Sequence, residues 1–494
     1  MIDWGLLLST IFSLKSLLVI SAGILGGMLA GALPGISGTM AVTLLLPFTF
    51  AMEPSLGIML LMAIYAAAVY GGSISAILIN TPGTTSSAAT ALDGYKMTEK
   101  GKGAQALRIS TFTSMIGGLV SAVALLLLSP PLSRVSLWFG PPEYLLMACL
   151  GLAAVATLAT DSIIKGIMGG ILGLFLASVG IDFTVGFPRF TFGFVSLEGG
   201  ISFVPALIGF FALAEVMAMG EKRFEEAQGA MHFVNDRIFP TREDITGLWP
   251  TIGRGSIIGV IIGILPGAGA DIGSWISYNV AKRVSKFRNE IGHGSRDGVA
   301  ASEVANNAVT GASLIPLLTM GIPGSAVAAV ILGGLMIHGL VPGRELFTVH
   351  AQITYTAIFG FILANLMVGL FGFLLIRPFT QVTRISRKHL APLIVMLCVV
   401  GSFAIHNNFF DVATMVFFGM IGYVMKKGGF HPAPVVLAMV LGPMAESRYM
   451  QTSTLCDGQV LSYMMGRPLS VFLMLLIVLF LIAPMFYKGV KKSA

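Results

Sequence analysis

Four short stretches carry the residues of this sequence best suited to chemistry. They are Pro34-Gly35-Ile36-Ser37-Gly38-Thr39, Asn80-Thr81-Pro82-Gly83-Thr84, Pro266-Gly267-Ala268-Gly269-Ala270-Asp271 and Pro323-Gly324-Ser325. Each sets Pro-Gly among apolar runs. Proline removes a backbone donor and glycine frees the chain, so one helix stops there and another restarts. A restarted helix presents unpaired N–H groups and about half a positive charge. Four such starts, with the hydroxyls of Ser37, Thr39, Thr81, Thr84 and Ser325 beside them, make a cradle for a carboxylate. No lysine or arginine is needed in an apolar interior, where charge is expensive. The substrate-binding candidates are therefore Pro34, Gly35, Ser37, Thr39, Asn80, Thr81, Pro82, Gly83, Thr84, Pro266, Gly267, Gly269, Pro323, Gly324 and Ser325. Bare carbonyls at the preceding helix ends, with Asn80 or Asp271, suit the oxygen ligands of a coupling cation; Asn306 and Asn307 are further candidates.

Each residue also has a structural reading. Asn306-Asn307 can cap or bridge helices as readily as bind an ion, and Asp271 can cap the helix it opens. Glu303 reads as a loop-facing residue at a helix start, and Asp93, before Gly94, as a turn residue at the membrane edge. His293, His338 and His350 are scattered, and Cys149, Cys398 and Cys456 lie far apart without metal spacing. There is no GxxxxGK[ST] phosphate loop and no GxSxG elbow, which argues against an ATP-driven pump and a familiar hydrolase. No cofactor is expected beyond a coupling sodium ion or proton.

The elements that position these breaks are apolar helices. The chain has 494 residues, of which 55% are hydrophobic and 11% charged, and its mean hydropathy is +0.88. Soluble domains carry roughly 25% charged residues, so this is an integral membrane protein. The net charge of +7 resides in short loops between apolar spans. That is the signature of membrane orientation and implies no nucleic-acid partner. The segment Gly23–Gly35 recurs 232 residues later as Gly255–Gly267, with six of thirteen positions identical. Both copies carry small residues every fourth position, a stripe along which helices pack closely in lipid. Leu17 to Phe50 is too short for two spans and reads as a hairpin or a broken helix. A second shared element follows in each half: Gly71-Gly-Ser73 matches Gly311-Ala-Ser313, and Thr81-Pro82-Gly83 matches Ile322-Pro323-Gly324 with one residue inserted. Paired breaks in two halves point to the central site of a secondary transporter.

The fold expected is an all-α polytopic membrane protein of about 10–12 transmembrane segments. It has two related, inverted repeats with broken or re-entrant helices at the Pro-Gly motifs. The first repeat is placed at 1–220, a polar linker at 221–250, and the second repeat with the C-terminal spans at 251–494. The basic loops Tyr95–Arg108 and Lys282–Arg296 both read as cytoplasmic, which by itself favours parallel halves unless some segments are hairpins. A passive channel and an intramembrane enzyme are the rival functions.

The sequences Gly31-Ala-Leu-Pro-Gly-Ile-Ser-Gly-Thr39, Tyr70-Gly-Gly-Ser-Ile-Ser-Ala-Ile-Leu-Ile-Asn-Thr-Pro-Gly-Thr84 and Ala91-Leu-Asp-Gly-Tyr95 resemble the large membrane subunit of the tripartite tricarboxylate transporters, the TctA family. Leu265-Pro-Gly-Ala-Gly-Ala270 and Met320-Gly-Ile-Pro-Gly-Ser325 fit the same family. The resemblance runs from about residue 16 to about 445. It implies a permease of the bacterial inner membrane that works with a small TctB-like membrane subunit and a periplasmic TctC-like solute-binding protein. It also implies import of organic carboxylates such as citrate on an ion gradient.

Overall fold

A computed structural model describes residues 2–33, 35–135, 138–158, 162–182, 186–221, 239–267, 269–382 and 387–492. The protein is a polytopic helical membrane protein. Among the described residues six helices are long and apolar enough to span a bilayer: Leu14–Ala32, Pro54–Ile79, Gly103–Val135, Phe203–Gly220, Ala351–Leu374 and Phe409–Lys427. Shorter apolar helices such as Gly38–Thr49, Trp249–Ile264 and Ala326–Ile337 lie among them. Among the described residues, strand is confined to a two-residue antiparallel pairing of Gly180–Ile181 with Pro188–Arg189, in the Phe- and Gly-rich loop.

The core of the first half is α1 (Leu14–Ala32), α2 (Gly38–Thr49), α3 (Pro54–Ile79), α4 (Ala88–Glu99) and α5 (Gly103–Val135). In the second half it is α6 (Trp249–Ile264), α7 (Gly269–Val284), α8 (Arg296–Ala312), α9 (Leu314–Met320), α10 (Ala326–Ile337) and α11 (Ala351–Leu374). Helix α3 is apolar all round and buried along nearly its whole length, as a central helix must be.

The glycine stripes do what their spacing implies. Gly23 faces Leu60 and Ala63, Gly27 faces Ile64 and Ala67, and Gly31 faces Ala68 and Gly72. A methyl group on Gly27 would stand 2.6 Å from the Ile64 carbonyl oxygen. The contacts advance together, so α1 runs beside α3 in the same direction. After the break α2 turns back, with Gly38 beside Ala68 and Thr49 beside Gly57. The segment is thus a hairpin whose tip reaches only midway along α3. The second half repeats this: Gly255 faces Ala301 and Val304, Gly259 faces Ala305 and Ala308, Gly263 faces Val309 and Ala312, and α7 returns past Val309 at Gly273.

Helices α3 and α8 are antiparallel, since Ser73 bonds Glu303 while Tyr65 meets Ser313. The two hairpins accordingly enter from opposite ends of this pair. Near Ile77, where Thr98 Oγ1 donates to the Ile77 carbonyl, the loop after α4 meets the loop after α7 through Lys100 and the His293 carbonyl (2.5 Å). Near Gly57 the residue after α10, His338, packs against α3. Ile77 and Gly57 lie twenty residues apart, ~30 Å along a helix. The remaining helices form an outer layer. Phe203–Gly220 packs on Phe409–Lys427 through Gly209 and Gly422, and Ala433–Leu455 packs on Ile163–Ala177 through Gly173 and Gly442.

Two sequence readings change. Asp93 is no turn residue: it is buried inside α4, where its carboxylate accepts the N–H groups of Gly292, Gly294 and Ser295 and the hydroxyl of Tyr278. That ties the basic loop of one half to the other. Glu303 is not loop-facing but lies buried in the middle of α8. The expected linker at 221–250 falls largely on 222–238, outside the described residues. Beyond it Thr241 and Asp244 form a capping box, and Asp244 accepts from Gln105 Nε2 (2.7 Å) and Arg108 Nε (3.2 Å) on α5.

Burial acts to raise the pKa of Asp244, but the Thr241 N–H, Gln105 and Arg108 outweigh it and hold the carboxyl below its ordinary value. The stability this contributes is present above the unfolded value of roughly 3.9 and is lost as pH falls through the lower folded value. Asp244→Asn should flatten the acid side of the unfolding curve of the solubilised protein and leave the alkaline side unchanged. A sharper packing test compares Gly31→Ala, whose methyl would overlap the Ala68 carbonyl, with Gly26→Ala, whose methyl would meet only Leu45 at 3.7 Å. The first should cost about 1–3 kcal/mol in thermal or denaturant unfolding. The second should be neutral or stabilise by up to about 1 kcal/mol.

Candidate substrate and cation site

The four helix breaks meet. Gly83 packs directly on the carbonyl of Gly31 near the end of α1, and its N–H donates to the Gly72 carbonyl at 3.1 Å. Gly324 packs on the carbonyl of Gly263, where a methyl group would stand at 2.6 Å, and its N–H donates to the Ser313 carbonyl at 3.3 Å. Only glycine admits a carbonyl that close. These paired bonds equate Gly72 with Ser313, one residue away from the sequence match of Ser73 with Ser313. The inserted residue disappears, because each bond spans the same length of chain.

The ring closes across the halves. Thr85 Oγ1 donates to Asp271 Oδ2 at 2.8 Å, linking the restart after Gly83 to the second hairpin tip. Gly38, at the first tip, lies beside Val327 at the start of α10. Tyr65, buried on α3, sets its hydroxyl 3.1 Å from Ser325 Oγ and 3.2 Å from Ser313 Oγ. The restarted helices are capped as their sequences require. Ser37 accepts from the Met40 N–H (3.1 Å) and Ser325 from the Ala328 N–H (3.1 Å). Thr84 Oγ1 is shared with Ser86 and Ser87, and Ser87 Oγ donates to the Gly72 carbonyl at 2.9 Å. Gly35, Gly267 and Gly269 take positive φ angles of 97°, 77° and 66°, as sharp hairpin tips demand.

Of the sequence-derived candidates, Ser37, Asn80, Thr81 and Asp271 are exposed and Gly35, Thr39, Pro82, Pro266, Gly267 and Gly269 are partly so. Gly83, Thr84, Pro323, Gly324 and Ser325 are buried around them; Pro34 lies outside the described residues. Asp271 keeps an exposed face although protein packs densely about it. Its carboxylate is held by Thr85. Asn80 adopts a left-handed conformation (φ 52°) at the end of α3.

Asn306 and Asn307 are not at the tips. They sit on α8 six or seven residues before Ser313, ~10 Å along the axis. Asn307 donates to Asn306 Oδ1 (2.6 Å), and Asn306 Nδ2 donates to Glu303 (3.3 Å). Glu303 is the residue that sequence reasoning missed. Its signal was a carboxylate in the small-residue run Ala300–Ala312, combined with hydroxyls at helical spacing in Ser110 and Ser114. A separate cleft of about 330 Å³ lies in the outer layer between Leu174 and Glu446, away from every break. Its one acid, Glu446, is paired with Arg189.

The chain matches the tripartite tricarboxylate transporter TctA family over residues 17–437. It belongs to the TctA family. It is 37% identical over 441 residues to an "uncharacterized 52.8 kDa protein in TAR-I ttuC' 3'region" of Agrobacterium vitis, covering 89% of this chain and 88% of that one. It is also 37% identical over 200 residues to an "uncharacterized protein in TAR-II ttuC' 3'region" of the same organism, covering 40% of this chain and 83% of the relative. No solved structure matches. The TctA match takes in both hairpins, all four breaks and Glu303, and stops before the last helices.

The Tyr65 hydroxyl joins α3 to the break at Ser325 in the opposite half. Tyr65→Phe leaves two buried hydroxyls short of a partner and should cost about 1–3 kcal/mol in unfolding. Tyr449→Phe, on the surface of the outer layer, should cost nothing measurable in the same assay.

Proposed function

We propose that this TctA-family subunit is the permease of a secondary active importer of organic di- or tricarboxylates, in the bacterial inner membrane. The observation that carries this reading is the convergence of four helix breaks on one hydroxyl-lined centre. Helix N-termini at Ser37, Thr84, Gly269 and Ser325 supply N–H donors and partial positive charge for a carboxylate. Hydroxyls complete the cradle without a fixed cation. The single acid at the tips, Asp271, together with Asn80, is placed to favour a cation beside the anion. Broken helices are tolerated at such depth only where they are buried in protein or line a wet cavity.

The halves are read as inverted repeats. Support comes from the antiparallel α3–α8 pair, and from equivalent loops lying at opposite ends of it: the loop before α3 near Gly57, and the loop before α8 near Ile77. Each hairpin crosses half the membrane and returns to its own side. This reconciles two basic loops on one face with inverted halves.

A small TctB-like subunit and a periplasmic TctC-like binding protein complete the system, and a sodium or proton gradient drives it. The test is uptake of labelled citrate and a dicarboxylate panel into proteoliposomes that hold this chain and its small partner, with binding protein outside. Accumulation should require the binding protein and one imposed gradient, and should show counterflow. Thr84→Trp or Ser325→Trp should reduce uptake at least ~tenfold, as loss of oriented binding does, while the protein still inserts. Rapid flux that needs no gradient would make the protein a channel. Turnover of the acid into a different product would make it an enzyme.

A further inference from the structure

Glu303 is fully buried, on the middle of α8, and five polar groups close on its carboxyl. Ser73 Oγ on α3 (2.5 Å) and Thr90 Oγ1 on α4 reach Oε1, and Ser110 Oγ (3.0 Å) and Ser114 Oγ (2.8 Å) on α5 reach Oε2. Asn306 Nδ2 completes the shell at 3.3 Å. Among the described residues no lysine, arginine or histidine is bonded to it. An ionised carboxylate held only by neutral groups so far from water carries a large desolvation cost, which a cation must offset.

The geometry decides which cation fits. An ion of sodium's size holds oxygens at roughly 2.4 Å, the range of calcium, and so keeps neighbouring ligand oxygens about 3.4 Å apart. Here the hydroxyl oxygens stand in direct hydrogen-bond contact with the carboxyl, and Asn306 turns a donor toward it. These oxygens stand closer than the ligands of such an ion would, at the spacing of a hydrogen-bonded carboxyl.

The internal symmetry adds a second observation. Gly27 meets Ile64 and Ala67 as Gly259 meets Ala305 and Ala308, so each α3 residue corresponds to the one 241 places later. The counterpart of Glu303 is Met62, buried and apolar. The acid is not demanded by the hairpin packing that the halves share. It is present once, one turn of α8 from Asn307 and about midway between the basic-loop end and Ser313, whose carbonyl seats Gly324.

We propose that Glu303 carries the coupling proton, resting on the carboxylate-importer reading above. The carboxyl takes one proton from the outer side, is neutral while buried, and gives that proton up to the inner side; no other bond changes. The hydroxyl shell serves both forms, because Ser and Thr can donate to the carboxylate or accept from the acid. The other titratable groups on the elements packed around it are engaged elsewhere or distant from it. Tyr70 bonds Thr111, Asp93 bonds Tyr278 and the loop at Gly292, Arg108 bonds Asp244, and Arg254 bonds Thr251. Asp271 bonds Thr85. Asp297, buried with both oxygens unpartnered, is the next acid on α8 toward the basic-loop end.

The test is Glu303→Gln in the proteoliposomes described above, with citrate as the probe. An inward gradient of one pH unit supports about tenfold accumulation per proton carried. In Glu303→Gln that accumulation and the accompanying internal acidification should vanish, while equilibrium exchange of labelled citrate stays within about twofold of wild type. Glu303→Asp should retain pH-driven uptake with a displaced pH profile. Wild-type pH dependence in Glu303→Gln, or accumulation driven by sodium alone in the wild type, overturns the proposal. A second readout does not depend on transport. Infrared spectra of the wild-type protein at neutral pH should hold a protonated-carboxyl band that disappears in Glu303→Gln, and its absence from the wild type also overturns the proposal. If the wild type moves no carboxylate but the band is present, it is the importer reading that fails and the protonated Glu303 that stands.

Discussion

A helix that ends inside a membrane leaves its last carbonyls and the next helix's first N–H groups without partners, and the bilayer offers none. The rest of this structure depends on how that is met. The two breaks that follow the long helices fold back until backbone bonds backbone: Gly83 to Gly72 and Gly324 to Ser313. Such approach is possible only where no side chain intervenes, which is why Gly31 and Gly263 lie beneath Gly83 and Gly324. The same glycines that pack each hairpin on its long helix therefore also seat the opposing break. Packing and site are one constraint, and it is met twice by the same residues at matching positions.

The convergence has an electrostatic consequence. On the proposed reading four restarted helices direct partial positive charge at one locus, and the residues nearest it are neutral hydroxyls and a single acid. A permanent lysine there would bind an anion more firmly, but it would also hold it. A site made of helix ends binds an anion through charge that is fixed by the backbone and diluted by water, which suits release as well as capture. Asp271 offsets part of that charge and is itself restrained by Thr85 from the other half, so the two halves share the site's electrostatics as well as its walls.

Much of this was legible in the sequence because it is carried by glycine and proline, whose effects are local. The duplicated Gly23–Gly35 motif, the places where helices stop, and the hairpin alternative for Leu17–Phe50 follow from backbone chemistry alone. Asn306, Asn307, Glu303 and Asp93 were harder, because their meaning is set by partners 185 or more residues away or by neighbouring turns of their own helix. Asp93 before glycine carries every local mark of a turn. Only the folded chain brings Gly292, Gly294, Ser295 and Tyr278 to it and makes it an internal anchor. The one-residue error in aligning the second element has the same origin: identity of Ser73 with Ser313 outweighed loop length in the sequence, while the hydrogen bonds count loop length only.

The departures from symmetry are as informative as the symmetry. Duplication alone would yield two equivalent cores, with apolar residues at both 62 and 303 and matching residues at 65 and 306. Instead one core carries Met62 and Tyr65, and the other carries Glu303 and Asn306. Tyr65 reaches from the first half into the second half's break, and Glu303 draws hydroxyls from three helices of the first half. Each half has thus placed its distinctive polar group within the other. A change in how α3 sits against α8 alters both sets of bonds at once, whereas motion of either hairpin with its own long helix alters neither of the shared stripes. The geometry therefore links the state of the breaks to the state of the Glu303 shell through a single interface, and an importer that couples two solutes requires a link of that kind.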